Sequence, residues 1–336
     1  MFKWFYILLL CFMMMTGCKQ NSAYNQLKVK EYKVEPWIRY ENLLTLVDTL
    51  NPAEGLRKLE LLYSEFTNIY FLRVINDQYQ PDTSFQKIFS LYQKSPIIKD
   101  LYRNDVGKFG DLKQEEEDYS ASFARLQAMI PGVKKPKVFT FLTEFGVGVF
   151  STSDTVMGIS LDLYLGKGNK YYNVEVWPAY VQHNMNKDNM VSNLLKNFIR
   201  NTLLPQREPK TLLDYMVQQG KEVYLLSRMI QPERDTLIYG YTKKQLNFCR
   251  ENEKEMWSFF LSEKMVYSED FKKIQKYVDI APTSPGMPAD SPGRTSAYLG
   301  GAIIEAYMKR HPDMPIKQML QEVNAQKILE AARYKP

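Results

Sequence analysis

Apolar residues along this chain fall into three successive patterns. At the start they run without a break from Trp4 to Met15. From Leu43 to Met129 they return every three to four residues, and the same spacing resumes after Val191. Between them, from Lys137 to Leu161, they thicken into short β-branched and aromatic runs punctuated by glycine. The 3.6-residue period predicts amphipathic helices, and the central runs predict strands.

Taken in order, Tyr32 to Tyr40 reads as extended chain or a short strand. Leu43, Leu46, Val47 and Leu50 predict one helical face. Behind Pro52, with Asn51 as N-cap, Leu56, Leu59, Leu62, Tyr63, Phe66 and Tyr70 continue the stripe. Asp82 is placed to cap a helix over Phe85 to Tyr92, and another helix starts near Ser95-Pro96. Asp111 opens a longer helix to Met129, closed by Pro131-Gly132. Its acidic run, Glu115 to Asp118, lies in the first turns, where the helix dipole favours negative charge, and is expected as a solvated face.

The segments Val138–Leu142, Val147–Ser151 and Thr155–Leu161, joined by tight turns of which one holds Ser153-Asp154, predict a small antiparallel sheet. Helices then follow from Val191, from Pro209 or Thr211, from Thr242 with Gln245 at capping-box spacing, and over Asp270 to Val278. The segment Ala281–Gly293 is rich in proline and glycine and reads as loop. A helix from Arg294 carries Gly300-Gly301, a pair that costs about 2 kcal/mol against alanine and calls for close backbone packing in return. A last helix runs from Pro315 through Ile328. The fold class is therefore α+β, mostly helical around a small antiparallel sheet. Residues 31–336 read as one unit, helical over 31–134, sheet over 135–180 and helical again over 181–336.

The opening run changes the picture. Lys3, the apolar stretch and Thr16-Gly17-Cys18 have the layout of a secretory signal cut before a cysteine. The stretch is too short to span a bilayer, which needs about 20 apolar residues. Residues 1–17 are thus read as a lipoprotein signal peptide, Cys18 as the acylated mature N-terminus, and 18–30 as a flexible tether to a membrane.

Composition narrows the rest. Of 336 residues 45% are hydrophobic, enough for a sizeable core, and the net charge of +6 comes from 44 basic and 38 acidic residues well interspersed. Nucleic-acid binding is not indicated. Of 3 cysteines only Cys249 remains outside the leader and its anchor, so no internal disulfide is expected; Cys249 reads as a small buried hydrophobe. With 2 histidines, His183 and His311, and no HExxH or CxxC, no zinc site of the usual kind is spelled out.

Several segments carry a family resemblance. They are Ile38-Arg39-Tyr40-Glu41, Leu161 to Gly166, Ile238 to Thr242, Asn252-Glu253 with Met256-Trp257, Tyr267-Ser268, and Asp290 to Arg294 leading into Gly300-Gly301. Their order behind a lipobox resembles the gliding-motility lipoprotein GldB family of Bacteroidetes. The family is similar in layout to zincin-type peptidases, which place a metal-binding helix after the sheet. That likeness puts Lys196, Asn197 and Arg200 where HExxH ligands would stand, and Gln219 or Glu222 at the third-ligand position. Lysine and arginine are donors only and cannot hold Zn2+ at neutral pH.

The resemblance implies a non-catalytic envelope lipoprotein with no metal or cofactor. No acidic run follows Cys18, which reads as a periplasm-facing placement on the outer membrane, and envelope protein partners are expected. The alternative is an envelope hydrolase acting on peptide or peptidoglycan in the same cleft. The residues singled out as possible cleft or binding groups are Asp162, Tyr164, Tyr241, Glu253, Asp290, Arg294 and Glu305. Four of them have an ordinary explanation as well: a strand-end turn for Asp162, a cap role for Tyr241, a helix-face role for Glu253, and a loop-fastening salt bridge for Arg294.

Overall fold

The computed structural model describes residues 23–75, 84–152 and 154–336. The signal segment, Cys18, the Asp82 cap and Ser153 lie outside the described residues.

The sheet has four strands: β1 (Ile38–Arg39), β2 (Lys137–Phe141), β3 (Val149–Ser151) and β4 (Val156–Ser160), in the order β1-β2-β4-β3. It is mixed, not antiparallel as expected. β1 and β4 both run parallel to β2, and only β3 runs against β4. The chain leaves β2 for the outer edge, forms β3 there, and returns to insert β4 between them. All five residues of β4 are buried, as a central strand covered on both faces requires. Gly158 makes this packing possible, since a Cβ there would lie 2.4 Å from the Phe150 ring and 2.8 Å from that of Phe141.

The two sheet faces bury different helices. On one, Phe66 stacks on Phe139 with centroids 4.2 Å apart, and Tyr70 meets Phe141 edge-on. The opposite face is covered by α1 (Lys113–Met129), whose Tyr119 hydroxyl reaches the Met157 sulfur at 3.8 Å. Next to α1 lies α2 (Met190–Phe198), which widens into a π-turn over Ile199–Leu203. Phe123 of α1 meets Phe198 of α2 at 5.0 Å.

Two long helices follow, α3 (Leu212–Met229) and α4 (Thr295–Arg310). They cross in backbone contact: a Cβ on Gly300 would sit 1.8 Å from the Met216 carbonyl oxygen, and one on Gly220 would sit 2.2 Å from that of Gly300. The glycine pair thus has the close packing that its helical cost called for. Thr211 with Asp214 and Thr242 with Gln245 both form complete capping boxes, and Asp270 caps Phe271–Val278. Cys249 is fully buried, and burial pushes its thiol up to about 12.

Elsewhere the periodic reading fails. Leu46 and Leu50 are 81% and 94% exposed, because the helix begun at Tyr40 stops at Thr45 and never presents them to the core. The last predicted helix is two, Ile316–Gln321 and Ala325–Ala332, the second capped by Asn324. The acidic run of α1 is not simply a solvated face either. Glu116 accepts the Trp37 backbone N–H at 2.8 Å, Glu115 pairs with Lys187 at 3.2 Å, and Asp118 pairs with Arg234. Part of the segment expected as a flexible tether is docked. Ala23–Gln26 forms a helical turn, the Arg125 guanidinium lies 3.3 Å from the centroid of the Tyr24 ring, and Arg125 donates to the Tyr24 carbonyl at 2.7 Å. Among the described residues no helix is long and apolar enough to cross a membrane.

Candidate functional site

The candidate site is assembled by α2, α3 and the residue before α4. Lys196 and Arg200 are four residues apart, so α2 presents both on one side, one turn above the other. Arg200 falls in the π-turn, an irregularity that often marks functional positions. From α3 comes Glu222, whose carboxylate is 1% exposed.

Arg200 clamps Glu222 through two donors, the Nε to Oε2 and an Nη to Oε1, the latter at 3.0 Å. Arg294 adds a second guanidinium, Nη2 to Oε1 at 3.1 Å. Burial alone would raise the Glu222 carboxyl, but Arg200 and Arg294, with Lys196 beside them, outweigh it and hold it below the usual carboxylate range. Lys196 is 8% exposed and gives one hydrogen bond, to the Leu237 carbonyl at 2.7 Å. Burial first, then Arg294 and Arg200 against the opposing pull of Glu222, brings its ammonium down to about 7.

Arg294 has an uncommon backbone. Its φ of 59° places a non-glycine residue in the left-handed region. The strain is held by two contacts: its N–H donates to the Lys276 carbonyl at 3.1 Å, and its own carbonyl accepts the Tyr241 hydroxyl at 2.9 Å.

Lys196, Arg200 and Arg294 line a cleft of about 400 Å³ between α2, the edge strand β3 and the Tyr239-Gly240 turn. Asn184, Asn193 and Asn197 supply amides to its wall, and Tyr164, Trp177 and Tyr239 supply rings. No acidic side chain is among the lining residues. Burial raises the Tyr164 phenol to about 12, although its oxygen accepts the Asn193 amide at 3.1 Å. At the β3 edge Asn197 donates to the Val149 carbonyl at 3.4 Å and Asn201 to the Ser151 hydroxyl at 3.2 Å.

Of the residues expected at a cleft, Tyr164 and Arg294 line this one, and Tyr241 supports Arg294 from behind while lining a neighbouring hollow of about 260 Å³. The others stand elsewhere. Asp162 is wholly buried under the turn after β2, where it accepts the backbone N–H groups of Thr143 at 3.0 Å and Phe145 at 2.9 Å. Those bonds fix a turn in which Glu144 and Phe145 both have positive φ. Glu253 accepts the hydroxyls of Tyr298 and Tyr334, Asp290 pairs with Lys244 on the surface, and Glu305 pairs with Arg228.

At the expected ligand positions, Lys196, Arg200 and Glu222 come together. Gln219 is spent on Val278 and Ser296 instead. The sequence reading missed Asn184, Asn193, Trp177 and Tyr239. They reach the cleft from separate loops and helices, and no local spacing announces them. Among the described residues no group of three or more His, Cys, Asp and Glu is placed to hold a metal ion.

A family profile described as Gliding motility protein GldB matches residues 20–336. The chain belongs to that family. Membership associates it with gliding motility, and the family's lipoprotein designation fits a membrane-anchored envelope protein. No curated protein and no solved structure matches the chain.

Proposed function

We propose that this member of the GldB family is a lipid-anchored, non-catalytic component of gliding or secretion-linked machinery. It is held through acylated Cys18 at the periplasmic face of the outer membrane, after removal of residues 1–17. Its α2–α3 layout is read as that of a zincin-like peptidase that has lost its metal. The observation that carries the non-catalytic reading is the Arg200–Glu222 pair. The one carboxylate at the expected ligand positions is occupied by two guanidiniums, and Arg200 can only donate. A cation placed there would meet two permanent guanidinium charges and a single committed acceptor.

The test uses the full chain in its host, as wild type and Cys18→Ala, with palmitate labelling, envelope fractionation and cross-linking. Label on the wild type alone, with the mutant left as unanchored precursor and wild-type cross-links to envelope proteins of the motility machinery, supports the reading. Label on Cys18→Ala overturns the anchor. Peptide or peptidoglycan hydrolysis by the purified chain that a chelator abolishes overturns the non-catalytic assignment.

A further inference from the structure

We propose that the cleft lined by Lys196, Arg200 and Arg294 is a binding site for the oxyanion group of a small ligand, a phosphate-type or carboxylate head. This goes beyond the tethering role and does not depend on it. Around Glu222 there are three cationic side chains and one carboxylate, and no acidic residue lines the cleft to balance the remainder. A purely structural ion pair needs one guanidinium; here two are spent on it, and a buried lysine is added with a single carbonyl as its hydrogen-bond partner.

Keeping Lys196 dry is costly unless something compensates, and an anion from solution would do so. Arg200 keeps half of its side chain exposed while its inner edge holds Glu222, leaving donors free to grip an incoming oxyanion in a forked geometry. Arg294 reaches the site only from a left-handed backbone that two hydrogen bonds sustain. Beyond the cations, the three asparagine amides and the rings of Tyr164, Trp177 and Tyr239 suit a ligand whose body is part polar and part planar.

Protonation of Lys196 couples to occupancy. The groups facing it are Arg200 on its own helix, Glu222 on α3 and Arg294 before α4, with the Tyr164 and Tyr239 phenols across the cleft. Burial raises both phenols, and Glu222 is held low, so Lys196 is the group of this set that changes charge near neutrality. Binding should therefore tighten as pH falls from about 8.5 to about 6.

Sulfate is the phosphate-type probe, since its charge is constant over that range, and acetate is the carboxylate probe. Calorimetric titration of the full chain in detergent, at ionic strength matched with chloride, should give saturable binding of at least one of them, tighter at the lower pH. Saturation by sulfate alone identifies a phosphate-type ligand, and by acetate alone a carboxylate. Lys196→Met and Arg200→Gln should each weaken binding about tenfold or more. Lys244→Ala, whose partner Asp290 lies outside the cleft, should leave it unchanged. Arg200→Gln, at a half-exposed side chain, keeps the test usable if Lys196→Met fails to fold. Absence of saturable binding by the folded wild type, or binding by both cleft variants as tight as that of the wild type, overturns the proposal.

Discussion

Helix α3 takes part in two contacts of opposite kind, two residues apart. At Gly220 it touches α4 backbone to backbone, with no side chain between them and no room for a methyl group. At Glu222 it buries a full charge and surrounds it with three cations from α2 and the start of α4. The first contact is fixed by shape and is insensitive to pH and salt. The second is fixed by charge, has a half-exposed member in Arg200, and contains a group that titrates near neutrality. Close packing at Gly220 gives α3 the rigidity with which Glu222 can be held under the guanidiniums. A precise crossing beside an adaptable polar cleft is an arrangement suited to recognition.

That contrast can be broken from either side. The largest effect is expected from Glu222→Ala, which leaves the buried Arg294 and Lys196 without their counter-charge. Loss of one partner from a buried pair costs about 3–5 kcal/mol. The loss should show in denaturant midpoints and shrink when Arg294 is also replaced; independent, additive losses would contradict the cluster.

Next comes Gly300→Ala, which drives a methyl into the Met216 carbonyl and should cost about 3 kcal/mol through forced separation of the helices. Because no charge is involved, this loss should be the same at low and high salt, and a strong salt dependence would contradict a steric origin.

The smallest effect, and the one that sharpens the comparison most, is Lys196→Met. The folded ammonium has a pKa of about 7, against about 10.5 in the unfolded chain. In that window the unfolded chain binds more protons, so the wild-type penalty is full below pH 7 and fades as pH approaches 10.5. Removing the charge should stabilise the protein by about 1 kcal/mol near pH 7, with the advantage shrinking at pH 9.5. Lys221, lowered to about 8 by burial, is common to both proteins and cancels. Parallel pH profiles for the two proteins would remove the assignment of this titration to Lys196.

Features decided locally were legible in the sequence. The boxes at Thr211 and Thr242 follow from residues three positions apart, and the demand of Gly300-Gly301 for a close neighbour follows from helix propensity. What the sequence could not convey was decided across the chain. Strand direction depended on β4 slipping between β2 and β3, which no pattern within one strand records. Leu46 and Leu50 kept helical spacing beyond a helix that had already ended. At the cleft, α2 was singled out by resemblance, but the partnership of Glu222 with Arg294 spans 72 positions and arises only when α4 crosses α3. Asp162 and Glu253 looked chemical because they are carboxylates near motifs; the oxygens of Asp162 are taken up by backbone amides and the Ser160 hydroxyl, and those of Glu253 by tyrosine hydroxyls.

The seat of Tyr24 against Arg125 bears on how such a protein would stand on a bilayer. Should Cys18 carry the acyl chains, only six residues of leash precede that seat, at most about 20 Å when drawn out. The face bearing Arg125 would then be kept within that standoff of the headgroups. The reach of the whole body from the bilayer would thus be set by its own dimensions and not by a long linker.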